Sequence, residues 1–385
     1  MRVCFISFEY PPNILGGAGT YAESIVDGLR DKGVDVLVVT TGDQNDFDQK
    51  TFGVPTSNVE YWRRLFFMNP ATGIFHKLNR LHKFDLVHLN EPHIILRKLG
   101  LPTVCTLHST QVNEIKLKLP ELRALKNVND IKDLVLKGSV GSLCDIVTVQ
   151  NVDRIICPSP HLTRLIESYC FVDRERISVI PNGIDLKAFD SVNADGEQIL
   201  SEYGLHKDNY ILFMGRLTFH KGVHLLIEAF TRLKKEHSNM KLVIAGTGNS
   251  ESYLKAIAND VEDIVFTGFV DSLASKKALY ENCLVVVVPS FYEGLPMVIL
   301  EAMACGKAIV ASGVGGVPLL VRHGRNGFCS KPGDSQSLER FIQTLLEDAN
   351  LRESMGSSGR KLAEKEFTVD KMVNRTLRVY QSLCS

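Results

Sequence analysis

The 385-residue chain has no charge of either sign to spare: 44 Lys and Arg stand against 44 Asp and Glu, so its balance marks no surface for nucleic acid or another polyanion. It has no apolar run near the ~20 residues that a membrane-spanning helix needs. Its nine cysteines stand singly (Cys4, Cys105, Cys144, Cys157, Cys170, Cys283, Cys305, Cys329 and Cys384), and none forms a Cys-x-x-Cys pair. Several sit inside apolar, strand-like runs, which speaks for buried thiols in a reducing compartment and against a disulfide framework or a zinc site. No grouping of His and Cys is read as a metal site. The first residues run straight into a strand with no signal-peptide layout. These absences predict a cytoplasmic enzyme.

What is present is a repeated alternation. A chain of this length exceeds what one core usually supports, so about two domains are expected. Short apolar runs recur at Val36–Val39, Leu86–Leu89, Val104–Leu107, Arg154–Pro158 and Ser178–Ile180. A second series follows at Tyr210–Met214, Leu242–Ala245, Ile264–Phe266, Leu284–Val288 and Ala308–Ala311. Continuous apolar runs suit parallel strands buried on both faces. Between them lie helical patterns, such as Ala22, Ile25, Val26 and Leu29 on one face, and Val223, Leu226, Ile227 and Phe230 on another. The alternation predicts doubly wound α/β sheets. The polar stretch Asp185–Asn209 is the natural divide. The expected layout is a Rossmann-like domain over residues 1–184, a second over 185–368, and a helix over 369–385 whose packing partner stays open, with a return to the first domain as one option.

Several polar loops directly follow strands, where open α/β sheets bind ligands. The most informative is Ser290-Phe291-Tyr292-Glu293-Gly294-Leu295-Pro296-Met297, leading on to Glu301. Pro296 suits a first helical turn, and the unsatisfied amides there favour anions or sugar oxygens. Two carboxylates beside them can grip hydroxyl groups. Gly215-Arg216-Leu217-Thr218-Phe219-His220-Lys221-Gly222 places a forked guanidinium and a point charge near a helix start, as a diphosphate requires. Pro11 to Tyr21 carries Gly16, Gly17 and Gly19, but neither a full Gly-x-Gly-x-x-Gly nor a P-loop ending. Gly246-Thr247-Gly248 barely exceeds a turn. His108, at a strand end, can exchange hydrogen bonds with a substrate hydroxyl or a phosphate. Asp46-Phe47-Asp48 is a formal Asp-x-Asp, but its loop reads as solvated. Tyr61 to Leu78 mixes Trp62, Phe66, Phe67 and Phe75 with Arg63, Arg64 and Lys77. That composition could dock on an anionic membrane face, but an ordinary half-buried helix is the preferred reading, with Pro70 expected to interrupt it.

Taken together, these motifs resemble the retaining glycosyltransferases of family 4, over nearly the whole chain and in the right order. The resemblance rests on Pro11-Pro12 with Gly16-Gly17, on Val179-Ile180-Pro181-Asn182-Gly183-Ile184-Asp185, on Gly215-Arg216-Leu217 with Lys221-Gly222, and on Glu293-Gly294-Leu295-Pro296 with Glu301. It implies the GT-B fold, two Rossmann-like domains facing across a cleft, with the acceptor side in the first and the nucleotide-sugar donor in the second. By the same implication Arg216 and Lys221 hold the donor diphosphate, helped by the Gly16–Gly17 loop. Glu301 takes the ribose hydroxyls. Glu293 with the Gly294, Leu295, Pro296 and Met297 segment takes the transferred hexose, His108 touches that sugar from the other domain, and Val270 lies beside the base. The implied reaction is retaining hexosyl transfer from a UDP- or GDP-sugar to a sugar, lipid or small-metabolite hydroxyl, with no cofactor and no obligatory metal. Peripheral contact with the inner membrane face fits such an enzyme.

Two departures narrow the expectation. Ile14 stands where related glycogen and starch synthases carry Lys, which disfavours an α-glucan synthase. Gly315-Gly316-Val317-Pro318 leads to Leu319 where many relatives have Glu. A nucleotide-sugar 2-epimerase and a catalytically silent nucleotide-sugar binder are the alternatives, and a dinucleotide oxidoreductase is disfavoured for want of its glycine fingerprint. Thr110 to Leu143 matches no motif.

Overall fold

In a computed structural model the structure describes residues 1–14, 16–43, 48–54, 60–91, 98–110, 141–192 and 195–384, with backbone alone at 60–66 and 68–69. The chain forms two compact units, Met1–Gly183 with Val369–Ser385, and Ile184–Thr368.

The first unit carries seven parallel strands: β1 (Arg2–Ser7), β2 (Asp35–Thr41), β3 (Thr51–Val54), β4 (Leu86–Asn90), β5 (Thr103–Thr106), β6 (Arg154–Cys157) and β7 (Ile177–Val179), in the order β3-β2-β1-β4-β5-β6-β7. The second carries six: β8 (Tyr210–Met214), β9 (Lys241–Ala245), β10 (Ile264–Gly268), β11 (Val285–Val288), β12 (Ala308–Ser312) and β13 (Gly327–Ser330), in the order β10-β9-β8-β11-β12-β13. Both sheets reverse their winding once, between β1 and β4 and between β8 and β11. A crevice opens at such a switch point, beyond the carboxyl ends of the two strands.

The strands are what their composition dictates. β11 is four valines, all buried; Val286 and Val288 enter one core cluster and Val285 and Val287 the other. β-branched side chains are stiff and pack well on a pleat covered on both faces. β1 does the same, with Cys4 and Ile6 on one face and Val3 and Phe5 on the other. None of the nine cysteines is paired, and burial pushes the Cys157, Cys170 and Cys283 thiols up to about 12.

The helix Val369–Cys384 packs within the first unit, burying Met372, Val373, Val379 and Tyr380 in the cluster that holds Tyr21, Ile25 and Leu29 of the helix Gly17–Asp31. The polar stretch after Asp185 opens the second unit. It holds helices Leu186–Ser191 and Gly196–Glu202, whose starts are capped by the Asp185 and Asp195 carboxylates, and it buries Phe189, Leu200 and Leu205 in the second core. Its aspartates are capping residues, so polarity there marks helix starts. Pro70 does not interrupt its segment: the helix Glu60–His82 runs through it. Pro70 faces solvent, where water can satisfy the carbonyl that its ring leaves unpaired. Phe67 and Phe75 point into the first core, so neither is on offer to a membrane. The Trp62 and Phe66 side chains lie outside the described residues, as do Asp46 and residues 111–140. Among the described residues no helix is long and apolar enough to cross a membrane.

Candidate functional site

Two loops, after β8 and after β11, meet at the second switch point. Residues 215–222 end in the turn Phe219–Lys221, and Gly222 starts the helix Val223–Leu233. Residues 289–296 lead into the helix Met297–Ala304. The loops are zipped together: the Phe291 N–H donates to the His220 carbonyl at 2.8 Å. Gly222, at φ 67, comes so near Pro289 that a Cβ would sit 2.1 Å from its carbonyl oxygen. Only glycine satisfies both demands. The rings of Phe219 and His224 stack at 4.6 Å, and Phe291 lies parallel to Phe219 at 6.0 Å. Gly246-Thr247-Gly248 is more than a turn, because Thr247 accepts the Leu217 N–H at 2.8 Å and so holds the first loop in place.

This bracing brings Lys221 and Glu293 together. Lys221 Nζ donates to Glu293 Oε1 at 2.7 Å, with side-chain exposures of 19% and 7%. The buried Ser290 hydroxyl donates to the same oxygen at 2.7 Å. Both of these hydrogen bonds end on Oε1, and a charge-assisted pair in so dry a place is strong. Glu301, also buried, accepts from the Tyr280 hydroxyl at 2.8 Å through Oε2. Burial and the Glu301 carboxylate push the Tyr280 phenol far up, so it stays a donor.

Arg216 is exposed and carries no ion pair among the described residues, which leaves its guanidinium available. Gly294, Leu295, Pro296 and Met297 line the turn into the helix. Pro296 is its cap rather than its first turn, leaving the amides after it at the open end. Val270 follows β10, at the sheet edge, and its side chain sinks into the core cluster that also holds Leu295 and Met297. Leu319 packs partly buried against the same core, so the position that is Glu in many relatives serves packing here.

In the first unit, His108 stands beyond the end of β5. Its Nε2 lies 2.8 Å from Asn90 Oδ1, and its ring meets the Tyr21 ring edge-on at 4.7 Å. Asn90, the last residue of β4, donates through Nδ2 to Ser7 Oγ at 3.0 Å and to the Ala18 carbonyl at 3.1 Å. It thereby ties the Gly16–Gly17 helix start to His108. Gly16 is the cap of that helix and Gly17 its first residue. Ile14 packs its methyl against Gly19. Burial pushes His108 down to about 4, against the opposite pull of Glu9. Behind it, the Tyr21 hydroxyl lies 3.1 Å from Thr106 Oγ1, which lies 2.8 Å from His88 Nε2; His88 Nδ1 pairs with the Tyr380 hydroxyl of the C-terminal helix.

Sequence reasoning missed Ser290, Tyr280 and Asn90. Ser290 sits three residues before Glu293 and was within reach of a local reading. Tyr280 and Asn90 carry no local signal, since sheet order alone brings them to their partners. For metals, His220 and His224 are four apart in sequence, but the His224 ring is stacked on Phe219 at 4.6 Å and His220 Nδ1 faces Thr218 Oγ1 at 3.1 Å. Among the described residues one grouping, Glu236, His237 and Glu347, brings possible ligand atoms within 4.8 Å. The Gln343 amide already bridges both of its carboxylates, at 2.8 and 2.9 Å.

The sequence profile for Glycosyltransferase Family 4 matches residues 15–188, and that for glycosyl transferases group 1 matches residues 196–362. The chain is 30% identical to an uncharacterized glycosyltransferase of Methanocaldococcus jannaschii, over 99% of this chain and 98% of that protein. It is 28% identical to the alpha-maltose-1-phosphate synthase of Mycolicibacterium smegmatis, over the full length of both. Among solved structures, sucrose-phosphate synthase from Thermosynechococcus elongatus superposes with a TM-score of 0.80 at 20% identity, covering 100% of this chain and 99% of that one. Anabaena HepE in complex with UDP-glucose superposes with a TM-score of 0.77 at 21% identity, covering 100% of both. The chain therefore belongs to the family-4 glycosyltransferases of GT-B fold.

Proposed function

We propose that this glycosyltransferase moves a hexose, with retention, from a UDP- or GDP-hexose to a sugar hydroxyl, and that it needs no metal. The observation that carries this reading is the pairing of Lys221 with Glu293 at the β8/β11 switch point, with Arg216 on the first of the two loops and Glu301 on the helix that follows the second. As the diphosphate leaves, negative charge builds on its oxygens. Arg216 and Lys221 are the cations to meet it, and preorganised charge of this kind is often the largest catalytic contribution. The bonds from Lys221 and Ser290 anchor Glu293 by Oε1 and leave Oε2 to clamp hexose hydroxyls. The acceptor then attacks from the leaving-group face, and a diphosphate oxygen takes its proton. Glu301, steadied by Tyr280, suits the paired hydroxyls of a ribose. The UDP-glucose held by HepE and the sugar chemistry named for the mycobacterial relative support this choice of donor and acceptor class.

Thermal denaturation with UDP, GDP, ADP and NAD, each with and without EDTA, tests it. A nucleoside diphosphate at 100 times its Kd stabilises the chain by about 2.7 kcal/mol, and the shift persists in EDTA. Stabilisation by NAD alone, or a shift abolished by EDTA, overturns the reading. Calorimetry checks the ribose clamp. Glu301→Ala weakens nucleoside diphosphate binding about tenfold to a hundredfold, and Tyr280→Phe by less, since it removes a neutral donor that only orients the carboxylate. Unchanged affinity in Glu301→Ala removes Glu301 from the site.

A further inference from the structure

We infer that Asn90 is a positioning residue that locks His108 as the Nε2–H tautomer, leaving Nδ1 as a hydrogen-bond acceptor; its catalytic consequence rests on the function proposed above. The two ends of a carboxamide are told apart by what surrounds them. The Ala18 carbonyl can only accept, and it lies 3.1 Å from one end of the Asn90 amide, so that end is Nδ2. Oδ1 is then the atom 2.8 Å from His108 Nε2. An amide oxygen can only accept, so His108 Nε2 carries the hydrogen.

A neutral imidazole with Nε2–H offers Nδ1 as a bare acceptor, and Nδ1 has no hydrogen-bond partner among the described residues. The ring is held neutral by burial, which places its titration at about 4. The titratable groups facing it are Glu9 after β1, His88 on β4 and Tyr21 on the helix Gly17–Asp31. Glu9 favours the charged ring, but burial outweighs it. The tautomer decides which ligand atom suits His108. A hydroxyl can donate to Nδ1, whereas a phosphate oxygen has nothing to donate. His108 is therefore built for a sugar hydroxyl rather than for the diphosphate. Asn90 also holds Ala18, so the glycine-rich helix start and His108 share one anchor.

The tautomer is read directly on the full-length chain labelled with ¹⁵N-histidine, by long-range nitrogen–proton correlation, with the His108 signals identified by their loss in His108→Gln. The expected result is Nε2–H in the wild type and a substantial Nδ1–H population in Asn90→Leu. Asn90→Asp keeps an acceptor toward Nε2 and adds a negative charge, so it retains the tautomer and raises the His108 titration by about one unit or more. The acid limb of donor turnover in Asn90→Asp then moves up in step, and turnover in Asn90→Leu falls about tenfold or more. An Nδ1–H wild type, or His108 signals unmoved by Asn90→Leu, overturns the lock without reference to any substrate. A lock that behaves as expected while turnover and its acid limb stay unchanged overturns the sugar-contacting role of His108 instead.

Discussion

Lys221→Ala lowers release of nucleoside diphosphate from the hexose donor by about a hundredfold or more, with most of the loss in kcat. In the proposed mechanism the charge that Lys221 answers develops only as the diphosphate departs, so its removal costs the transition state more than the ground state. A second effect accompanies it. Glu293 is almost fully buried and loses the partner 2.7 Å from Oε1, keeping the Ser290 hydroxyl alone. A buried charge left half-satisfied costs about 1–3 kcal/mol, which thermal denaturation reads as a lower Tm. The two effects separate in the double variant. Lys221→Ala with Glu293→Gln recovers stability, because the carboxamide needs no counter-charge, but leaves turnover low. Lys221→Arg retains charge with a different shape and falls between. Wild-type turnover in Lys221→Ala sinks the assignment, whatever the Tm.

Gly315→Ala destabilises the chain by about 3 kcal/mol or more and abolishes turnover, although Gly315 itself touches no reacting group. A Cβ there would stand 1.7 Å from the Glu293 carbonyl oxygen and 2.9 Å from its carbon, at a φ of 55. Both offending atoms are backbone, so the loop carrying Glu293 must move, and a misplacement on the order of 1 Å at a clamp costs about a hundredfold. Two other glycines isolate the cause. At Gly324, φ is 75 but a Cβ meets open space, so Gly324→Ala shows backbone strain alone, about 1–2 kcal/mol, with activity retained. At Gly313 a Cβ meets its neighbours at 3.6 Å, an ordinary contact, and Gly313→Ala is close to silent. Denaturant melts and donor-turnover assays on the three variants give the ranking, and equal behaviour of Gly315→Ala and Gly324→Ala contradicts the close-approach account.

Gly315 and Gly316 also show where sequence reading stopped. Their pairing was visible as a departure at Leu319, but not that Gly316 N–H donates to the Glu293 carbonyl at 3.1 Å. Gly246-Thr247-Gly248 was undervalued for the same reason. A close approach between two loops leaves one of them looking like an ordinary turn, because the atoms that forbid a side chain belong to another strand's end. The polar stretch after Asp185 reads as the divide, and the second unit does begin at Ile184, but its polarity does not report the two helices that its aspartates cap.

Hydrophobic patterning alone determined that this chain builds parallel α/β sheets, since uninterrupted valine-rich runs such as Val285–Val288 can be buried only with both faces covered. The order of its motifs determined the family, because Arg216, Lys221 and Glu293 lie between strand ends and helix starts that their own neighbours declare, and Glu301 lies in the helix that follows. Only the tertiary structure decided that Lys221 shares Glu293 Oε1 with Ser290, that Tyr280 steadies Glu301, and that Asn90 orients His108. Those pairings span up to 72 residues and depend on which strand lies beside which, β8 by β11 and β4 by β5. Strand order is set by the sum of many burial energies across a sheet, and no local run of side chains reports it.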